Sequence, residues 1–172
     1  MEDKKKLRRK QILNSAFECF SQYGYAKTAF IDVAKKARVS RALLYKYFKN
    51  KDDLFVTMTN ETQDHYATKS REILESSQSK KGKLQKIIEI WILDPYQKIT
   101  SSPYSNDWLD ELKNISARSE MRYRELFIAS ITPLLGYNLA EVIVLSVRGL
   151  LDDRPPVQTL KKRVSILTDV TV

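Results

Sequence analysis

The chain has 172 residues, 42% of them hydrophobic and 30% charged, with 30 Lys and Arg against 21 Asp and Glu for a net charge of +9. That length suits one compact unit, or a small head with a larger helical body. No apolar run approaches the ~20 residues of a membrane span, the basic start lacks the apolar stretch of a signal peptide, and Cys19 is the single cysteine, which excludes an intrachain disulfide. No membrane partner and a cytoplasmic location are therefore expected.

In chain order, the first expected helix runs from about residue 5 to Tyr23, with Ile12, Leu13, Ala16, Phe17 and Phe20 as its apolar stripe and Gly24 as its C′ residue. Cys19 falls within that stripe and reads as a buried structural thiol. Thr28 is a candidate cap for a second helix, on which Phe30, Val33, Ala34 and Ala37 share one face. Arg38 and Val39 make a tight turn, with Val39 as a buried plug. Ser40 then caps a third helix that Leu44 and Phe48, four apart, anchor to the core. Arg41, Ala42, Tyr45, Lys46 and Tyr47 remain on that helix as a small basic and aromatic surface. The motif, about residues 29–48, is a helix-turn-helix whose second helix suits a DNA major groove.

Charge follows the same division. Residues 1–60 hold 14 basic and 6 acidic side chains, whereas residues 61–172 hold 16 and 15. A polyanion partner accounts for that excess, because neutralised phosphates release counterions and add affinity for any sequence.

Asn50 caps a fourth helix, with Asp52 and Asp53 in its first turn and an expected end near Leu74. Lys51 stands at its start, where an ammonium and free amides together favour phosphate. A polar linker over residues 76–83 leads to an amphipathic helix carrying Leu84, Ile87, Ile88, Trp91 and Ile92, which Asp94-Pro95 is expected to break. After a loop near residues 100–103 come helical stretches over about 106–119 and 120–136, the second kinked or ended by Pro133. Asn138 opens a helix apolar on nearly all sides, through Val142, Ile143, Val144, Leu145, Val147, Leu150 and Leu151. Arg154-Pro155-Pro156 precedes a last helix with Val157, Leu160, Val164 and Leu167. A helix apolar all round is buried on two sides, and the second side is most simply another copy of the chain. Val142, Leu145, Leu160 and Val164 are the expected contacts.

The head resembles the TetR-type (tetracycline-repressor-like) family of bacterial transcription regulators. The matching residues are Phe20-Ser21-Gln22-Tyr23-Gly24, Thr28, Val33-Ala34, Ala37-Arg38-Val39-Ser40, Leu44-Tyr45-Lys46-Tyr47-Phe48 and Lys51-Asp52-Asp53-Leu54. The resemblance covers residues 8–58, about a third of the chain. It departs at Arg38, where the family usually has Gly. Either the turn tolerates a side chain at positive φ or the Arg38 guanidinium gains a phosphate contact.

This resemblance implies an all-α fold: an N-terminal three-helix helix-turn-helix DNA-binding head (1–50) and a C-terminal helical dimerisation and effector body (51–172). It implies a ligand-responsive repressor that binds palindromic double-stranded DNA as a homodimer through its last two helices. The expected DNA contacts are Arg41 to guanine, Ala42 beside a thymine methyl, Lys46 to either base or backbone, and Thr28, Ser40, Tyr45, Tyr47 and Lys51 to phosphate. Tyr66, Trp91, Tyr104, Trp108 and Phe127 are candidate lining for a small apolar or aromatic effector. His65 reads as a solvated helix-face residue. The alternative is a DNA-bound structural or adaptor protein of the same fold without an effector. Neither catalysis, a metal nor a cofactor is expected: the lone His and Cys lie far apart, and no glycine-rich phosphate loop or Gly-x-Ser-x-Gly elbow occurs. Asp110-Glu111 is ordinary helix-surface charge.

Overall fold

The computed structural model describes residues 2–114 and 117–172, and among them every regular element is helical. In order these are α1 (Glu2–Tyr23), α2 (Phe30–Lys36), α3 (Arg41–Tyr47), α4 (Lys51–Glu75), α5 (Lys80–Ile88), a π-helical turn (Glu89–Leu93), α6 (Asp94–Thr100), α7 (Ser105–Asn114), α8 (Ala117–Leu135), α9 (Tyr137–Gly149) and α10 (Val157–Thr171). No described helix is long and apolar enough to cross a membrane. Residues 115 and 116, part of the expected helix over 106–119, lie outside the described residues.

The chain divides into two compact units, Met1–Glu61 with Ile99–Ser119, and Thr62–Lys98 with Glu120–Val172. The first unit extends beyond the sequence boundary at residue 50, taking in the start of α4 and residues 99–119. Trp108 of α7 fills its core, edge-on to Phe17 at 4.9 Å and against Phe20 and Phe55 at 6.4 Å. Gly24 permits that approach. Its φ is +82°, and a Cβ there would stand 2.7 Å from Asp107 Oδ2 and 3.3 Å from the Tyr104 side chain. The Asp107 carboxylate instead accepts from the Ala26 amide at 3.2 Å, and Ser102 Oγ donates to the Ser21 carbonyl at 2.6 Å. Cys19 is buried in this core, which pushes its thiol pKa up.

Several local expectations change. Thr28 does not cap α2. Its hydroxyl donates to the Gly24 and Cys19 carbonyls, at 2.6 and 3.2 Å, while Asp32 accepts from the Ala29 amide at 3.1 Å. An acid three residues into the helix thus supplies the cap, with Ala29 at the N-cap position. The polar stretch 76–83 is not wholly a linker, since Ser79 caps α5 by accepting from Gly82 N. Asn50, by contrast, caps α4 as expected, accepting from Asp53 N at 2.8 Å.

Asp94-Pro95 does not break the second unit's helix; it passes through the π turn and continues as α6. Pro95 has no N–H for the Trp91 carbonyl four residues earlier. The widened turn absorbs the ring, with Asp94 N–H pairing to Glu89 O. Tyr123 of α8 donates its hydroxyl to the Trp91 oxygen at 3.1 Å. Pro133 likewise leaves α8 unbroken to Leu135. Pro133 and Ala129, the residue whose carbonyl it cannot serve, are both exposed. Gly136 at φ +75° ends α8, and α9 opens at Tyr137, one residue before the expected Asn138.

Tyr123→Phe leaves the Trp91 carbonyl without its partner and should cost about 1–3 kcal/mol. Urea denaturation measures it; a change within a few tenths of parent stability would mean the carbonyl is satisfied elsewhere.

Candidate nucleic-acid interface

The surface of α3 follows from which of its residues the core takes. Leu44 and Phe48 are buried, so Arg41, Ala42, Tyr45 and Lys46 stand exposed on the other side. Ser40 caps the helix, accepting from Leu43 N at 3.1 Å, and is itself exposed. Tyr45, 48% exposed, is held edge-on to Phe30 of α2 with ring centroids 5.0 Å apart. The Arg41 guanidinium carbon lies 5.6 Å from the centre of the Tyr45 ring, a cation–π contact that orders a long side chain before any partner arrives. Phe30 was expected only as core; its support of Tyr45 has no signal in helical spacing, because it acts between helices.

The turn before α3 is a Schellman motif. Val39 N–H pairs with Ala34 O at 3.0 Å and Arg38 N–H with Lys35 O at 3.1 Å. Arg38 occupies the C′ position at φ +53°, where Gly is favoured, with its side chain exposed. The turn therefore accommodates Arg38 at some conformational cost.

The remaining expected contacts divide. Thr28 is 1% exposed and its hydroxyl proton is already committed, so the structure withdraws it from the surface. Tyr47 is half-buried and packs against the head's core. Lys51 is half-buried too: its Nζ donates to the Tyr25 carbonyl at 2.9 Å and stands 4.3 Å from the Tyr25 ring centre. The Tyr25 hydroxyl in turn bonds Asp52, and burial with that carboxylate holds the phenol protonated throughout the neutral range. Close by, Glu111 of α7 has its pKa raised, first by burial and then by the charge of Asp52, against an opposing pull from Lys51.

The candidate effector residues separate. Tyr104 and Trp108 belong to the head's unit, Tyr66, Trp91 and Phe127 to the other. Those three do meet. Trp91 stacks on Phe127 at 5.0 Å and 6°, with Tyr66 edge-on at 5.5 Å. Tyr123, absent from the expected set, joins at 5.3 Å. Trp91 Nε1 donates to Ser70 Oγ at 2.9 Å, and burial, with the Asp94 charge, pushes the Tyr66 phenol up to about 12.

The expected dimer contacts also divide. Val142 and Leu145 of α9 are 55% and 48% exposed, whereas Leu160 and Val164 of α10 are 0% and 4% exposed. The latter two point into their own unit because α10 packs on α5 and the π turn. Tyr137 and Leu139 of α9 and Ile166 and Val170 of α10 are exposed apolar side chains as well.

Residues 12–58 match the model of the family described as bacterial regulatory proteins, tetR family. The HTH-type transcriptional regulator HbdR of Aromatoleum sp. (strain CIB) is 46% identical over 54 residues, 31% of this chain and 24% of that protein. The HTH-type transcriptional repressor Rv1474c of Mycobacterium tuberculosis is 38% identical over 72 residues, 41% of this chain and 38% of that one. The alignments with these curated relatives thus span less than half of their length. A TetR transcriptional regulator from Legionella pneumophila has the same fold, with a TM-score of 0.73 at 17% identity over 94% of this chain and 96% of that chain.

Two variants test the local physics. Arg38→Gly should raise stability by up to about 1 kcal/mol, the left-handed penalty of the side chain less the extra entropy that Gly loses on folding. A drop in stability in urea denaturation would mean that Arg38 makes stabilising contacts. Glu111→Gln should raise the melting temperature at neutral pH. A carboxylate whose folded pKa is raised binds its proton more tightly when folded, so stability falls as pH rises from the unfolded to the folded value. The gain should therefore shrink as pH drops below the ordinary glutamate range; a pH-independent difference would contradict that origin.

Proposed function

We propose that this chain, whose residues 12–58 match the tetR family of bacterial regulatory proteins, is a sequence-specific DNA-binding transcriptional regulator, acting as a repressor. The observation that carries this reading is the surface of α3: a guanidinium, an ammonium, a phenol and a small methyl side chain together on one exposed helix face. Arg41 reads guanine O6 and N7 in the major groove, and Ala42 lets the helix approach beside a thymine methyl. Tyr45 and Ser40 hold the phosphate backbone and set the register, with Lys46 reaching either backbone or base. Tyr47 and Lys51 serve at the margin of this surface, since each keeps part of its side chain on the head.

The working form is a homodimer. Val142 and Leu145 of α9, with Ile166 and Val170 of α10, are exposed apolar side chains that a second copy covers by two-fold symmetry. Two copies present two α3 helices, so the operator is palindromic with half-sites one helical turn, about 34 Å, or a multiple apart.

A small apolar or aromatic effector acting at the Tyr66, Trp91, Tyr123 and Phe127 cluster would make the repressor ligand-responsive, through differential affinity for two states of the body. A specific observation favours the second reading, a DNA-bound adaptor without an effector. Trp91 and Phe127 are fully buried and stacked on one another, so the protein's own rings fill the centre of this cluster.

Gel-shift titration of a duplex selected by the protein from a random pool tests the base-reading assignment. Arg41→Ala should lose about 1–3 kcal/mol of preference for the selected sequence while binding to unrelated duplex changes little. Full retention of preference would refute the role given to Arg41.

A further inference from the structure

Six of the seven residues from Lys4 to Lys10 are basic. They belong to α1 but precede the buried stripe that begins at Ile12, and Leu7 among them is exposed. Arg9 turns back on the head, pairing with Glu61 and lying over the Phe48 ring. Lys4, Lys5, Lys6, Arg8 and Lys10 are exposed. Lys4 and Arg8, Lys5 and Arg9, and Lys6 and Lys10 are each four apart, so three like-charged pairs adjoin along one helix. That arrangement destabilises an isolated helix and is relieved by an external anion.

Gln11 fixes how the stretch is turned. Its Nε2 donates to the Ala37 carbonyl at 3.0 Å, and its Oε1 accepts from Arg8 Nη1 at 3.1 Å. Ala37 closes α2 and adjoins Arg38. Lys4, Arg8 and Gln11, spaced four and three apart, share one face of α1. Lys6 and Lys10 lie on another, at ~100° per residue. The face bearing Lys4 and Arg8 is thus the one that meets the helix-turn-helix turn, where Arg38 is exposed and Arg41 follows on α3.

We propose that Lys4 and Arg8, continuous with Arg38, form a second phosphate-binding strip that grips the duplex backbone beyond the base pairs met by α3. This rests on the DNA-binding reading above and extends it to a surface outside the helix-turn-helix. A duplex fits better than an anionic bilayer, because this stretch carries the single apolar side chain Leu7 and a membrane-surface helix needs an apolar face.

The test is fluorescence anisotropy of the full chain with a mixed-sequence duplex of about three helical turns (~30 bp) over a range of salt concentrations. K4Q/R8Q should reduce the slope of log affinity against log salt by about two units, at roughly 0.9 for each phosphate that is no longer neutralised. K6Q/K10Q removes the same charge from the other face and should leave the slope within about half a unit of the parent's. An unchanged slope in K4Q/R8Q, or equal reductions in both variants, overturns the strip while the DNA-binding reading stands. A parent protein that binds no duplex at low salt overturns both. Loss of binding to phosphatidylcholine–phosphatidylglycerol vesicles in K4Q/R8Q, with the duplex slope unchanged, would assign these cations to a membrane surface and also overturn the proposal.

Discussion

The burial of Leu44 and Phe48 is the constraint from which the head's working surface follows. Leu44 within the seven-residue α3 and Phe48 at its C-cap are taken by the core, Tyr47 stays half-buried beside them, and Arg41, Ala42, Tyr45 and Lys46 face outward. A helix this short has little stability of its own. Its position comes from that apolar contact, from the Ser40 cap and from the turn at Arg38. The exposed guanidinium and phenol of Arg41 and Tyr45 then lie against one another and against Phe30, which lowers the entropy lost when a partner binds.

The same core shows why the head is larger than its motif. Phe17, Phe20 and Phe55 of α1 and α4 all pack against Trp108 of α7. Gly24 makes the fit possible by combining a left-handed backbone with room for Asp107 and Tyr104. Lys51, Tyr25, Asp52 and Glu111 form a linked group of charges and hydrogen bonds beside that junction. A residue expected to hold phosphate thus also holds the head together. The two roles compete for one ammonium, and its geometry in the free protein favours the internal one.

The sequence was most legible where one helix face decides the outcome. The α1 stripe, the Ser40 and Asn50 caps, the Leu44 and Phe48 anchors and the Gly24 terminus all follow from spacing and side-chain chemistry within one or two turns. It was least legible where a residue's partner lies far along the chain. Thr28 has the right chemistry for a cap, yet the Cys19 and Gly24 carbonyls claim its hydroxyl. Pro95 reads locally as a breaker, yet the π turn carries the helix past it and the Tyr123 hydroxyl, 28 residues on, donates to the Trp91 carbonyl that Pro95 cannot serve. Leu160 and Val164 are expected contacts because the preceding helix is apolar on nearly all sides and the resemblance implies pairing through the last two helices. The stripe of α10 that carries them instead packs on α5 and the π turn of its own unit. Helical periodicity tells which face is buried; it does not tell against what.

The central claim, that the outward face of α3 meets a DNA duplex, is tested most directly by lysine footprinting. The free protein and the protein saturated with a selected duplex are treated with an amine-acetylating reagent, and modification is read residue by residue. The account predicts strong protection of Lys46, exposed on α3, with Lys161 and Lys162, exposed on α10, unchanged. Equal reactivity of Lys46 in both states, or protection confined to α10, would contradict it.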